Sequence, residues 1–410
     1  YFQDAELDGL EDYDEALQSL DVDEPEDQDQ SMTLDTAAAI EQLKYPHTEE
    51  EPDLSPEELG RLDQIADKVE LSRLAAMGVL LDSSSVDCSD HVELSTRFVR
   101  TWRSKRDETT GVQYYLRRSR FVAREFSWLS PDRADLYSPA SSNVTTRLVP
   151  LMFLANADKD WAMMSLDVSD AFLTVNQERP TVVTAVDAAG VQHRFILGKV
   201  LPGQRDGSLL WHRDLAGFLK TEFGITPFGP YPSLLRNDKC LVIIHVDDML
   251  FTGDRSYLLD VVLPAFKSRY QVSHEMVDKV GTELSFLKRR HVLLSRDELF
   301  IQPHVKHASK LFEMLKIKPN MHPKKTPAHP EINEPDETSA LNAEFSSVFR
   351  TCVGVLLYLS ADLVECQFVI RYLAQCMKPP TERSYVVLRH LCLYMLGCVE
   401  HGISLKMKAK

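Results

Sequence analysis

Apolar and polar positions alternate with two different periods along this chain. Between residues 55 and 77 the apolar side chains Leu62, Ile65, Ala66, Val69, Leu71 and Leu74 recur at helical spacing. Ser55-Pro56-Glu57-Glu58 ahead of them supplies an N-cap, a proline at the first helical position and early acids, and Gly78 ends the run. Residues 92–128 alternate instead, about a turn near Asp107–Gly111, and predict a β-hairpin. Helical faces return at Thr145–Ala157, Leu209–Phe223 and Tyr257–Arg269. Nearer the C-terminus they recur at Pro303–Ile317, Phe349–Leu359, Cys366–Cys376 and Thr381–Gly397. Short strands are predicted at Thr181–Ala185 and Arg194–Leu197. A second hairpin is predicted from strands Leu284–Leu294 and Leu299–Gln302 about a turn near Arg296–Asp297. Residues 318–343 hold five prolines and read as an irregular connection. Strand and helix patterns of this kind predict an α+β fold.

The sharpest pattern is Leu241–Gly253, in which a β-branched apolar run leads into Asp247-Asp248 and an apolar run leads out. It reads as a tight hairpin with buried flanks. Asp is common in turns because it tolerates unusual backbone angles, so the pair alone has an ordinary reading. Two carboxylates between buried strands are costly, however, and a hard divalent cation would offset that cost. A third carboxylate strengthens the cation reading. Met163–Leu166 is a short apolar strand running into Asp167, and Ser169 or Asp170 can cap a helix starting near Ala171. A carboxylate at a strand end beside a helix N-terminus suits a metal-bound triphosphate. Antiparallel pairing of the two strands would bring Asp167, Asp247 and Asp248 together.

The boxes Asp167-Val168-Ser169-Asp170-Ala171-Phe172 and His245-Val246-Asp247-Asp248 resemble those of the reverse transcriptases of Ty1/copia-type LTR retrotransposons. The resemblance covers roughly residues 60–405. It extends through Arg120-Phe121-Val122-Ala123-Arg124, Tyr137-Ser138-Pro139, Leu201, Gly203, Trp211, Phe286-Leu287, Arg350–Leu359 and Lys378–Glu382. It implies a right-hand polymerase architecture of fingers, palm with an antiparallel sheet, and helical thumb. By it, 56–90 is a helix leading into the fingers, 91–302 the fingers and palm, and 303–410 the thumb and connection. The implied activity is RNA-directed DNA polymerisation with two Mg²⁺ ions, or Mn²⁺, on Asp167, Asp247 and Asp248. Arg120 would clamp the incoming triphosphate, with Arg118 a second phosphate contact and Asp170 beside them. Phe172 would pack under the sugar and exclude a 2′-hydroxyl. The stretch 202–208 departs from the family pattern, so Gln204 and Arg205 are the candidates for the nucleotide-sugar contact. Lys288 stands where the family has Gly.

Charge changes the picture of partners. Residues 1–60 carry 21 of the 62 acidic side chains and one of the 46 basic ones, so the remaining 350 residues are net positive by 4. The overall charge of −16 therefore hides a mildly basic body able to hold nucleic acid. Arg97, Arg100, Arg103, Lys105, Arg106, Arg117, Arg118, Arg120 and Arg124, interleaved with aromatics such as Trp102 and Trp128, would present a basic face to a template–primer backbone. Residues 1–55 are too acidic and too poor in branched apolars to bury a core, and predict a disordered tail. No apolar run is long enough to span a membrane, and seven Cys without a Cys-x-x-Cys pair suggest a reducing compartment. The expected setting is cytoplasmic, in a retrotransposon particle, or nuclear. The chain begins with Tyr, and the integrase and ribonuclease H of the family's polyprotein are not in it, as expected for a fragment or a cut product. His304 and His307 read as surface residues. Two other readings stay open: an inactive nucleic-acid-binding relic of the fold, and a metal-dependent phosphohydrolase with His245 as base. As the residue ahead of the Asp pair, His245 is expected to point away from the metals.

Overall fold

The computed structural model describes residues 34–48, 51–84, 86–107, 110–126 and 136–407. Among them three sheets and a C-terminal helical unit form a mixed α+β fold.

The first sheet has the order β1 (Lys44–Pro46), β4 (Gln113–Ala123), β3 (Val92–Arg106), β6 (Thr181–Val186), β7 (Gln192–Leu197), β2 (Leu80–Asp82). Long β3 serves two partners: Val92–Ser95 runs parallel to β6, and Thr96–Arg106 runs antiparallel to β4. The leading helix Pro56–Ala76 starts at Ser55 with a complete capping box, Ser55 to Glu58 and back. It lies on one face of the β3–β4 hairpin.

That packing is polar as well as apolar. Asp63, Asp67, Glu70 and Arg73 recur at helical spacing on the packed side of the helix. Asp63 accepts from Arg117 (2.7 Å), and Glu70 from the Phe121 amide (3.3 Å). Fully buried Asp67 accepts from Arg100 (2.7 and 3.1 Å), Ser119 (2.7 Å) and the Ala188 amide (2.9 Å). The hairpin's cations are therefore split between faces. Arg100 and Arg117 are consumed by the helix, while strand alternation puts Arg97, Arg103, Lys105, Arg118 and Arg120 on the opposite face. The single basic face expected for all nine cations is corrected to these five; Arg106 donates to the Gly111 carbonyl of the hairpin's own turn, and Arg124 lies just beyond β4. Trp128 and residues 108–109 of the turn lie outside the described residues.

The tail prediction also needs correction. Residues 1–33 lie outside the described residues, but Leu34–Glu41 is a helix and β1 pairs with β4 in register Lys44↔Leu116. Leu43 is buried with Leu62, Ala66 and Trp102, and Tyr45 sits edge-on to Trp102 at 5.4 Å. Two apolar anchors in an acidic stretch are enough to hold it when a strand edge offers hydrogen bonds.

The central sheet is antiparallel, in the order β12 (Val272–Val277), β5 (Trp161–Val168), β11 (Asp248–Asp254), β10 (Cys240–His245), β9 (Tyr231–Arg236), β8 (Thr226–Phe228). Both its faces are covered, which is why β5, β10 and β11 are apolar almost throughout. One face packs on Trp211, Leu215 and Phe218 of helix Gly207–Phe223 and on Phe266 of helix Leu263–Arg269. The other packs on Val149 and Phe153 of helix Asn143–Ala155 and on the third sheet.

The third sheet runs β13 (Glu283–Phe286), β14 (Arg289–Ser295), β15 (Glu298–Pro303), β16 (Ile403–Lys406). The single strand expected over Leu284–Leu294 is broken by a two-residue turn at Leu287-Lys288. Both residues have positive φ, 49° and 55°, as a type I′ hairpin requires. No Gly or Asn marks that turn in the sequence. The tertiary structure holds it: Tyr358 Oη donates to the Leu287 carbonyl (2.7 Å) and the His304 amide to the Lys288 carbonyl (3.1 Å). Helices Val305–Met314, Ala343–Leu359, Gln367–Gln375 and Glu382–Leu396 share one core, in which Cys352, Cys366 and Cys392 are buried. His307, read as a surface residue, is buried with its ring 4.9 Å from that of Tyr358, and desolvation pushes it down to about 4.

The loop between β7 and helix Gly207–Phe223 docks on the end of β4. The Ala123 amide donates to the Pro202 carbonyl (2.8 Å), and Gly203 (φ 91°) lies so close that a Cβ there would strike the Ala123 carbonyl. Gly203→Ala is expected to cost about 2 kcal/mol or more, because strain and collision add. Gly190→Ala, also at positive φ but with open space around it, should cost about half as much. Thermal unfolding of the two variants side by side checks this.

Candidate active site

β5 and β11 pair with Asp167 directly opposite Asp248, and β10 and β11 pair with His245 opposite Asp248. The three side chains therefore share one face at one end of the central sheet. Val246 and Asp247 form the two-residue turn between β10 and β11. The Val168 amide donates to the Asp247 carbonyl (3.3 Å), tying the turn to the end of β5. The register thus brings the three predicted carboxylates to one place.

The electrostatics of the cluster follow from that crowding. Burial and the charge of neighbouring Asp247 hold the Asp248 carboxyl well above the usual carboxylate range. A hydrogen bond with Asp167 and the nearby Lys288 ammonium pull the other way. Adjacent acids crowded at one end of a sheet fit a hard divalent cation, whose charge would offset their mutual repulsion. Among the described residues no group of three or more His, Cys, Asp or Glu side chains is already drawn together as a metal centre. The fit rests on the nature of the donors, three half-buried carboxylates, and on the end of the sheet that they share.

His245 shares the face of Asp248 rather than pointing away, but its ring is turned to Ser141, with Nδ1 2.6 Å from the Ser141 Oγ. Burial, then the Arg289 charge, lower its pKa and keep it neutral. It lines a cavity of about 310 Å³ with Ser142, Arg289, Tyr358 and Asp362. Arg289 there holds buried Asp362 (2.8 Å) and the Tyr358 hydroxyl (3.1 Å), joining the third sheet to the C-terminal helices.

The remaining predicted residues fall around this centre in different ways. Asp170 occupies the N-cap of the short helix Ala171–Thr174, at φ 53°, but makes no side-chain cap bond. Its carboxylate is taken by Arg73 of the leading helix (2.5 Å). Phe172 is half-buried against the central core, and a Cβ on Gly207 would lie 3.3 Å from its ring. Gln204 is buried inside its loop: its carbonyl accepts from the Leu201 amide (2.6 Å) and its amide donates to Gln177 (3.3 Å). Both ends are used within the protein, so the structure makes it a loop brace. The Arg205 amide donates to Glu125 (3.0 Å), just beyond β4. Arg118 and Arg120 lie on the β4 face away from the leading helix.

Sequence reasoning missed the acidic stripe Asp63, Asp67 and Glu70, whose helical spacing was a readable signal. It also missed the clamp on the turn: buried Trp211 donates its indole N–H to the Val246 carbonyl at 2.6 Å.

No family model matches the sequence. Two curated relatives from Arabidopsis thaliana do. The Retrovirus-related Pol polyproteins from transposons RE2 and RE1 are 24% and 25% identical over 291 and 292 residues, each match covering 67% of this chain. The matched region spans 18% of the length of those relatives. An uncharacterized mitochondrial protein of the same plant is 24% identical over 172 residues, 41% of this chain and 66% of that protein. Among solved structures, a foamy viral protease–reverse transcriptase in complex with double-stranded DNA overlaps 85% of this chain and 50% of its own, at 13% identity and TM-score 0.45. The apo telomerase of Candida tropicalis overlaps 82% and 68%, at 10% identity and TM-score 0.41. The chain is a distant homologue of the copia-type retrotransposon Pol polyproteins.

Proposed function

We propose that this chain is the polymerase core of an RNA-directed DNA polymerase. In this reading the first sheet is the fingers, the central sheet the palm, and the helices from Val305 onward the thumb, completing a right-hand architecture. The observation that carries it is the register of β5, β10 and β11, which sets Asp167 opposite Asp248 with Asp247 in the adjoining turn. The Pol homology supports it.

Two Mg²⁺ ions, or Mn²⁺, held by Asp167, Asp247 and Asp248 would activate the primer 3′-hydroxyl and offset charge on the leaving pyrophosphate. The rest of the work is positioning. Arg118 and Arg120 would face the triphosphate, and Arg97, Arg103 and Lys105 on the same sheet face would track the template phosphates without reading bases. Gly207 lets the Phe172 ring lie against the start of helix Gly207–Phe223, where it would contact the sugar. Phe172→Ala should raise the kcat/KM for rNTPs relative to dNTPs by roughly 10–100-fold, the size of a lost steric contact. Matched single-nucleotide incorporation measures that ratio.

Gln204 and Asp170 are tied within the protein and are proposed as supports of the nucleotide site rather than contacts. That same observation favours a second reading, a relic that binds nucleic acid but does not polymerise. Primer extension on an RNA template with Mg²⁺ and dNTPs decides between them. Elongation is the expected result. Salt-sensitive binding without elongation would favour the relic, and the absence of both would overturn either reading.

A further inference from the structure

Five non-glycine residues among those described have positive φ: Asp170, Val246, Leu287, Lys288 and Lys316. The first four surround the carboxylates. Asp170 follows Asp167 by three residues, Val246 precedes Asp247, and the Leu287-Lys288 turn brings its ammonium within reach of Asp248. Side chains of L-residues resist this conformation, β-branched ones most of all, and it persists only where the surroundings over-determine it. Val246 is the extreme case. It stands where a two-residue hairpin would ordinarily place Gly.

What holds Val246 is visible. The Trp211 indole N–H donates to its carbonyl at 2.6 Å. The ring itself is immobilised: it is fully buried and edge-on to Tyr270 at 5.6 Å, and the Tyr270 hydroxyl is fixed by Asp214 (3.1 Å). A buried indole N–H needs some acceptor. Here the acceptor is the one carbonyl whose position sets the turn carrying Asp247.

We infer that Trp211 is a positioning residue for the carboxylate site: its hydrogen bond keeps Val246 in the left-handed conformation that seats Asp247 beside Asp248 and Asp167. The inference deepens the polymerase reading and rests on it for its consequence, not for its geometry. Without the N–H, the turn would relax toward conformations open to Val, and the competent one would become a minor state. Apparent metal affinity falls by the fraction lost.

The test uses the full chain with Trp211→Phe, which keeps an aromatic ring and removes the donor. Three readouts are taken: amide hydrogen exchange across residues 245–249, Mn²⁺ binding without nucleic acid, and single-turnover extension. Trp211→Phe should speed exchange there and weaken Mn²⁺ binding by roughly tenfold, with a matching loss of extension rate and no change in primer–template affinity. Adding Val246→Gly, which accepts positive φ unaided, should restore Mn²⁺ affinity to within about threefold. Leu215→Ala opens the same core without touching the turn, so it controls for stability and should leave Mn²⁺ affinity unchanged. Unchanged exchange in Trp211→Phe, or a double variant no better than the single one, would overturn the clamp. Wild-type protein that binds Mn²⁺ yet never extends a primer would sink the polymerase reading alone, because exchange and Mn²⁺ affinity still report on the clamp.

Discussion

Replacing Asp247 and Asp248 together by Asn is expected to lower primer extension by at least about 10³-fold, several kcal/mol of transition-state stabilisation, without loss of the fold. The two effects have opposite physical origins. In the metal-free protein Asp248 ionises only against burial and the charge of Asp247. Asn has nearly the shape of a protonated Asp, so at neutral pH the double variant removes that penalty and should melt at the same temperature or slightly higher. In the working protein the same carboxylates must be anionic to hold cations, and Asn cannot be. Activity falling while thermal stability holds or rises is the signature of a site built for positive charge. Extension that survives the double substitution would remove these residues from the chemistry, and a collapse of the fold would make them structural.

Asp67→Ala should destabilise the protein by about 3–5 kcal/mol, more than any other single change considered. Asp67 is fully buried and accepts four hydrogen bonds: two from Arg100, one from Ser119 and one from the Ala188 amide. These join the leading helix, the β3–β4 hairpin and the β6–β7 turn. Truncation takes from partly exposed Arg100 its main partner, leaving only the more distant Asp63 and Asp187, and leaves a hydroxyl and an amide without acceptors. Asp67→Asn keeps the acceptor geometry on one oxygen and should cost less. Thermal unfolding ranks the variants. Limited trypsin digestion within residues 92–124 should accelerate in Asp67→Ala if the hairpin loosens from its helix. An Asp67→Ala protein as stable as wild type would mean that the hairpin docks through its apolar contacts alone.

The two predictions differ in how far the linear chain could lead to them. Asp167, Asp247 and Asp248 stand out because an acid set between β-branched runs is locally anomalous. The leading helix was equally readable, since Ser55 and Glu58 make the capping box and Pro56 is a favoured first helical residue. Asp67 was masked by its own neighbourhood, where charges on a helix are normally solvent-facing. Its partners Arg100, Ser119 and Ala188 lie 33 to 121 residues away.

Local pattern thus determined the β3–β4 hairpin, the strands flanking the acid boxes and the long helices from Pro56 onward, because period and capping act within a few residues; short strands such as β9 and β12 carried no such signal. The tertiary structure alone decided the rest. It opened a type I′ turn at Leu287-Lys288 with no glycine to announce it, because hydrogen bonds donated by Tyr358 and the His304 amide to its carbonyls offset the strain. It turned Gln204 inward as a brace against Gln177 and Asp170 toward Arg73. It drew β1 out of an acidic tail onto the edge of β4. In each case the deciding group is a hydrogen-bond donor or acceptor brought in from another element. Apolar periodicity reports which side of an element is buried, but a hydrogen bond or ion pair needs a named partner, and only the folded chain supplies one.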